Sequence, residues 1–318
     1  MTGQMVIRLV AVLLLITICM CASQQDEKRT GGLPDFDVLW DYNHPDSTEA
    51  AFRNLLPLAE QSGDLSYRTQ LLTQIARAQG LQMKFADAHR TLDSVDVMLA
   101  DDMVVPRLRY LLERGRVYNS AGEPDSARPY FMRAWDLAGS TGEDFYAVDA
   151  AHMMAIVEPP EEQLVWAARA MQTAEASPDE RAKRWLGSLY NNTGWTYHDM
   201  GEYDEALDMF EKSLAWNREY GNEERVRIAR WTIARAYRSL GRVEEALAMQ
   251  RELEEETASQ GLHADGYVFE EIGECLLLLG RDDEARGYFA RAYDLLSKDP
   301  WLVKNEAARL ERLKTLGD

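Results

Sequence analysis

One recurring order of residues restricts the fold of this chain more than any other feature. It runs small residue, aromatic, glycine, small residue, aromatic. In the stretch NNTGWTYHDMGEYDEALDMFEKSL the order is Gly194, Tyr197, Gly201, Tyr203, Ala206, Phe210 and Leu214. It returns as Gly115, Tyr118, Gly122, Ala127, Phe131 and Ala134, and as Ala234, Tyr237, Gly241, Ala246 and Leu253. A fourth copy holds Gly273, Leu276, Gly280, Ala285, Phe289 and Ala292. Two weaker copies carry Ala76, Phe85, Ala88 and Leu92, and Ala151, Met154, Gln163, Ala167 and Ala170. In the second of these Gln163 replaces the usual alanine and Pro159–Pro160 falls at the turn. The phase markers Ala88, Ala127, Gln163, Ala206, Ala246 and Ala285 are spaced by 39, 36, 43, 40 and 39 residues. A near-constant period of this length marks stacked supersecondary units, each contacting only its neighbours.

The residue types suit paired helices. Antiparallel helices that cross closely need small residues at the crossing, and aromatic rings fill the wedge between one pair and the next. The glycines end each first helix, where a left-handed residue costs least. Acidic residues after them, as in Gly201-Glu202 and Arg281-Asp282-Asp283-Glu284, favour the start of a second helix. No stretch alternates with the period-two pattern of a strand, so no sheet is expected.

These positions resemble the tetratricopeptide repeat family over about residues 66–300. The interval exceeds the roughly 34 residues of the minimal motif, so the likeness is to longer-helix members. The resemblance implies an all-α fold, a right-handed α-solenoid of stacked antiparallel helix pairs. Around the six repeats of about 66–299 the sequence predicts a half repeat over 47–63, with Ser47 as its cap and Pro57 as a kinking residue. A capping helix is expected over 300–316, with Pro300 in its first turn and a polar outer face.

The ends and the charge add context. Val6 to Ala22 is almost wholly apolar with Arg8 near its start, which reads as a signal peptide or anchor over 1–22. Cys21 is the lipidation candidate if the segment is processed as in bacterial lipoproteins. Met20 before it departs from the small residue that such processing prefers, and ordinary cleavage after Ala22 or Ser23 is the competing route. Residues 23–45, rich in Gln, Asp, Gly and Pro, read as a flexible linker. The protein is therefore expected to be exported to the cell envelope, lipid-anchored, periplasmic or secreted, with membrane contact only through its N-terminal segment. A net charge of −19 argues against nucleic acid as a partner. Cys275, in the run CLLLLG, reads as a buried core thiol.

In the family the first helix of each repeat lines the concave side, so the resemblance points to specific positions. The partner-binding candidates are Arg77, Arg109, Arg116, Asn119, His152, Asn191, Trp195, His198, Trp231, Arg235 and Arg238. Arginine forks suit carboxylates, and tryptophans are rigid anchors. The set fits an extended protein or peptide segment, acidic or carboxylate-ended. The competing reading is an ordinary helix face with Trp195 and Trp231 packed between repeats. There is no HExxH, GxSxG, Walker loop or GxGxxG, so no catalytic residue, metal or cofactor is expected. The sequence thus predicts a non-catalytic scaffold or adaptor for protein–protein interaction. The alternative is a sensory or regulatory domain that binds a peptide or small molecule in a signalling system.

Overall fold

The computed structural model describes residues 32–318. The segment 1–22 and Cys21 lie outside the described residues. Among the described residues the chain is all-α, with no strand. It divides between Leu189 and Tyr190 into two compact units.

The N-terminal unit opens with a 3-10 turn, Asp37–Leu39, and helix α1, Pro45–Ser62. Three pairs follow. Helix α2 (Leu65–Leu81) packs on α3 (Phe85–Asp96), and α4 (Val104–Ser120) on α5 (Pro124–Thr141). Helix α6 (Asp144–Val157) packs on α7 (Pro160–Ala176). The first helices α2, α4 and α6 also touch in succession. A short α8, Glu180–Lys183, leads into α9, Leu186–Met200.

In the C-terminal unit the remainder of α9 packs on α10 (Tyr203–Glu219) through Trp195 and Phe210. Helix α11 (Glu223–Ser239) pairs with α12 (Val243–Ser259), and α13 (Gly266–Leu278) with α14 (Asp282–Leu296). Helices α15 (Pro300–Asn305) and α16 (Ala307–Gly317) close the unit, with α16 against α14.

One contact sets the approach of each pair. A Cβ added at Gly194 would lie 2.5 Å from the Phe210 ring, and one at Gly273 would lie 2.9 Å from the Phe289 ring. Gly115 stands against Phe131 in the same way. The glycine of the first helix therefore admits a phenyl ring from its own partner helix, which the sequence had been expected to place between repeats. The interval is 16 residues each time. In the other repeats it joins Ala76 to Leu92, Ala151 to Ala167 and Ala234 to Gln250, so a ring appears only where the first helix offers glycine.

The turn inside the repeat is also standardised. Gly122, Gly201, Gly241 and Gly280 all have positive φ. At each, the next amide reaches back to a carbonyl five residues earlier, as in Glu123 N to Tyr118 O at 2.9 Å and Arg242 N to Tyr237 O at 2.9 Å. This closes the helix C-terminus in a Schellman arrangement. In the first repeat Met83 takes that place, with φ 60° and Lys84 N bonded to Gln79 O at 2.9 Å. The third repeat solves the turn without a left-handed residue. Glu158 is extended, Pro160 starts α7, and Gln163 Nε2 donates to the Glu158 carbonyl at 2.7 Å. That bond accounts for the amide in the alanine place.

Three expectations need correction. Helix α1 begins at Pro45, so His44 precedes it and Ser47 is not its cap; the Ser47 hydroxyl donates to the His44 carbonyl at 2.9 Å. Proline needs no amide partner in a first turn, which lets the helix start earlier. Pro57 lies inside this helix, which ends at Ser62. The linker ends before residue 45, because Phe36 and Tyr42 are buried and Phe36 joins the core of Phe52, Tyr67, Leu71 and Ile75. The C-terminal cap is two helices broken at Glu306, and the break brings Leu302, Leu310 and Leu313 into one core cluster.

Gly194→Ala is expected to destabilise the protein by about 1–3 kcal/mol through overpacking. Adding Phe210→Leu should return part of that loss, a coupling measured by chemical denaturation of the two single variants and the double variant. Equal, additive losses would show that the ring does not set the approach. At the exposed turn Met83→Gly should stabilise by roughly 1 kcal/mol, because it removes the left-handed penalty of a side chain. The same unfolding measurement checks it.

Candidate functional site

The first helices carry a second repeat pattern that the sequence reading missed. Two residues before each small residue stands a polar one: Gln74, Glu113, Asp149, Asn192, Thr232 and Glu271. All are buried except Asn192, which is partly so. One residue after the small residue come Arg77, Arg116, His152, Trp195, Arg235 and Glu274. The repeat phase was the signal that would have revealed the buried set.

In the N-terminal unit these positions are joined from repeat to repeat. Arg77 Nη1 lies 3.1 Å from Glu113 Oε1, and Arg116 Nη1 lies 2.7 Å from the same oxygen. The other Arg116 nitrogen, Nη2, pairs with Asp149. The C-terminal unit repeats the device: Arg235 Nε lies 3.3 Å from Glu271 Oε1, and Arg238 grips both Glu271 oxygens at 2.8 and 3.0 Å. The cation of one first helix thus meets a buried carboxylate of the next. Leaving such a carboxylate unpaired would cost on the order of 3–5 kcal/mol. Four of the five candidate arginines are therefore engaged by carboxylates from the helical array.

Arg109 differs. Its two terminal nitrogens hold the carboxylate of Asp37, from the segment before α1, and its Nε donates to Tyr146 Oη at 3.1 Å. Asn119 is half-buried near the end of α4. His152 is buried 5.2 Å from the Trp185 ring, and its Nε2 has no partner. Burial pushes its pKa down to about 4, aided by Arg116 and opposed by Asp149.

The remaining candidates form a row in the C-terminal unit. Trp195 lies 5.2 Å from the His198 ring and 5.9 Å from Trp231. His198 Nε2 is 2.9 Å from Ser239 Oγ. Four buried polar atoms here have no hydrogen-bond partner: Asn191 Oδ1, Trp195 Nε1, His198 Nδ1 and Trp231 Nε1; His198 Nδ1 lies 3.9 Å from Asp199 Oδ1. Buried polar atoms are paired in the great majority of cases, and each unpaired one costs about 1–3 kcal/mol. The row thus has the packed tryptophans of the competing sequence reading, together with polar atoms that lack a hydrogen-bond partner. Among the described residues no group of three or more His, Cys, Asp or Glu side chains is placed to hold a metal. Cys275 is fully buried, and burial raises its pKa to about 12, with Glu271 acting in the same direction.

Residues 185–255 match the tetratricopeptide repeat family. A 119-residue stretch is 33% identical to the outer dynein arm-docking complex subunit 4 of Danio rerio. That stretch is 36% of this chain and 24% of the zebrafish protein. Among solved structures, the chain resembles a signal-transduction ATPase with a tetratricopeptide repeat sensor from Pyrococcus horikoshii, with a TM-score of 0.66 at 16% identity. The likeness covers 87% of this chain and 43% of the archaeal one. The apo quorum sensor NprR from B. thuringiensis gives a TM-score of 0.61 at 15% identity over 88% of this chain and 79% of NprR. NprR in complex with its cognate peptide NprX gives 0.54 at 16% identity, over 85% of this chain and 78% of that one. At these identities the structures speak for the fold. Residues 185–255 thus carry tetratricopeptide repeats, and the described residues have an all-α helical repeat fold. The chain spans less than half of both the zebrafish protein and the archaeal ATPase.

The depressed His152 has a measurable consequence. Between about pH 6.5 and 4 the unfolded chain binds a proton at this residue that the folded chain refuses. Stability from this group is complete above that window and falls as pH drops through it, by about 3 kcal/mol at most. His89, lowered by burial and by Arg114, acts in the same direction. The expected result is that His152→Gln flattens, without abolishing, the loss of melting temperature between pH 7 and 5. Identical slopes in the two proteins would contradict the assignment.

Proposed function

We propose that this protein is a non-catalytic scaffold that holds an extended protein or peptide segment along its first-helix faces. The observation that carries the reading is the row of unpaired polar atoms on Asn191, Trp195, His198 and Trp231. A peptide main chain offers both donors and acceptors, and so complements an amide oxygen and two indole N–H groups. Trp231 is only partly buried, so part of its side chain is open to such a partner. The NprR fold likeness adds support, since that protein is solved with a bound peptide. The apolar run of residues 6–22, with Cys21 near its end, further supports export and tethering in the cell envelope. The sensory alternative draws on the sensor roles named for the Pyrococcus and Bacillus proteins.

The test uses Trp195→Phe/Trp231→Phe, which keeps an aromatic ring at each position and removes both N–H groups. Its melting temperature should fall only by the modest amount expected for the lost indole volume, because the lost donors have no hydrogen-bond partner in the free protein. Its capture of partners from membranes of cells fed labelled fatty acid should fall by roughly 2- to 10-fold per lost bond. Capture equal to that of the wild type would remove the row from the binding surface. A wild-type chain without fatty-acid label that appears free in the medium would remove the tether.

A further inference from the structure

The segment before α1 occupies the very face that the sequence reading assigned to a partner. Tyr67 Oη on α2 donates to the Pro34 carbonyl at 2.8 Å. Phe36 is buried edge-on to Tyr67 at 5.2 Å, and the Arg109 guanidinium lies 5.4 Å over its ring. Asp37 fills the Arg109 fork. Trp40 Nε1 donates to Gln74 Oε1 at 3.0 Å, and its ring stacks on Tyr42 at 4.7 Å. The Arg77 guanidinium lies 5.7 and 5.5 Å from those two rings. On the outer side Val38 is 61% exposed and Leu39 40% exposed, so the segment is a surface layer.

Three features set this contact apart from ordinary packing. Among the five candidate arginines, Arg109 is the one whose carboxylate comes from outside the repeats. Gln74, which holds Trp40, stands in the place where Glu113, Asp149 and Glu271 accept a cation from the preceding first helix. The segment itself, PDFDVLWDY, carries three aspartates and no basic residue against two arginines.

We infer that Pro34–Tyr42 is an intramolecular occupant of a peptide site on α2 and α4. The same site accepts, in its place, a partner segment of the same chemistry: an aspartate flanked by a phenyl group, with an indole three residues on. The occupant keeps the site closed until such a segment competes for Arg109 and Gln74. This deepens the scaffold reading by naming the chemistry of a partner, and it rests on that reading.

The experiment titrates a fluorescein-labelled peptide of residues 34–42 into the full chain. Three proteins are compared: the wild type, Asp37→Asn, and Phe36→Ala/Asp37→Ala/Trp40→Ala. The peptide should bind the triple variant at least 10-fold more tightly than the wild type, and Asp37→Asn should be intermediate. A peptide with Asp37→Lys should bind none of them, and adding Arg109→Ala to the triple variant should abolish binding. If the triple variant does not fold, the contrast between Asp37→Asn and the wild type decides alone. Equal affinity for the wild type and Asp37→Asn overturns the inference, as does no binding to a folded triple variant. A wild-type dimer that the triple variant loses would place the segment on a second copy and overturn it too. These outcomes leave the Trp195/Trp231 capture test unaffected, so the two readings can fail separately.

Discussion

A glycine backbone lying on a phenyl ring governs how each strong repeat is built. Where Gly115, Gly194 and Gly273 face Phe131, Phe210 and Phe289, two helices approach closely enough for the ring to lie on the helix backbone. All three rings are fully buried. The remaining pairs trade volume across the same interval, with alanine facing Leu92, Ala167 or Gln250. Close packing requires such complementary volumes, because interiors tolerate neither voids nor overlap. With the pair held by one contact, the rest of the first helix is free to carry polar residues.

Those polar residues are used between repeats. A buried carboxylate on one first helix and a guanidinium on the previous one are 33 to 36 residues apart in Arg77–Glu113, Arg116–Asp149 and Arg235–Glu271. Buried ion pairs contribute little net stability against apolar packing, yet breaking one is expensive. Their effect here is to penalise any wrong register between neighbours. They also alter the electrostatics of the candidate face: arginines that look cationic in the sequence are neutralised by acids of their own chain.

This explains what was legible in the sequence. The repeat phase, the helix pairs, the turn glycines and the absence of strands follow from local periodicity, and the structure agrees. Glu113, Asp149 and Glu271 were overlooked because their partners are a repeat away, and an acidic residue on a helix usually faces water. Residues 33–44 read as a linker because an irregular segment has no period. Only tertiary contact with Tyr67, Gln74 and Arg109 shows that Phe36 and Trp40 are docked. At the candidate residues, engagement by the chain's own groups was not readable from local sequence.

The two units therefore pose different binding problems. On the face of α2 and α4, the apolar rings and the Arg109 fork are already satisfied, so a partner gains only the difference between its contacts and those of Pro34–Tyr42. Binding there is an exchange, and a small advantage in affinity or local concentration decides it. In the row of Asn191, Trp195, His198 and Trp231 the polar atoms lack partners in the free protein. Any hydrogen bond formed there relieves an existing desolvation cost and adds directly to affinity. An acidic aromatic segment suits the first face through charge and ring contact. The second asks for main-chain donors and acceptors and is indifferent to charge. Each face can therefore be met by its own partner chemistry.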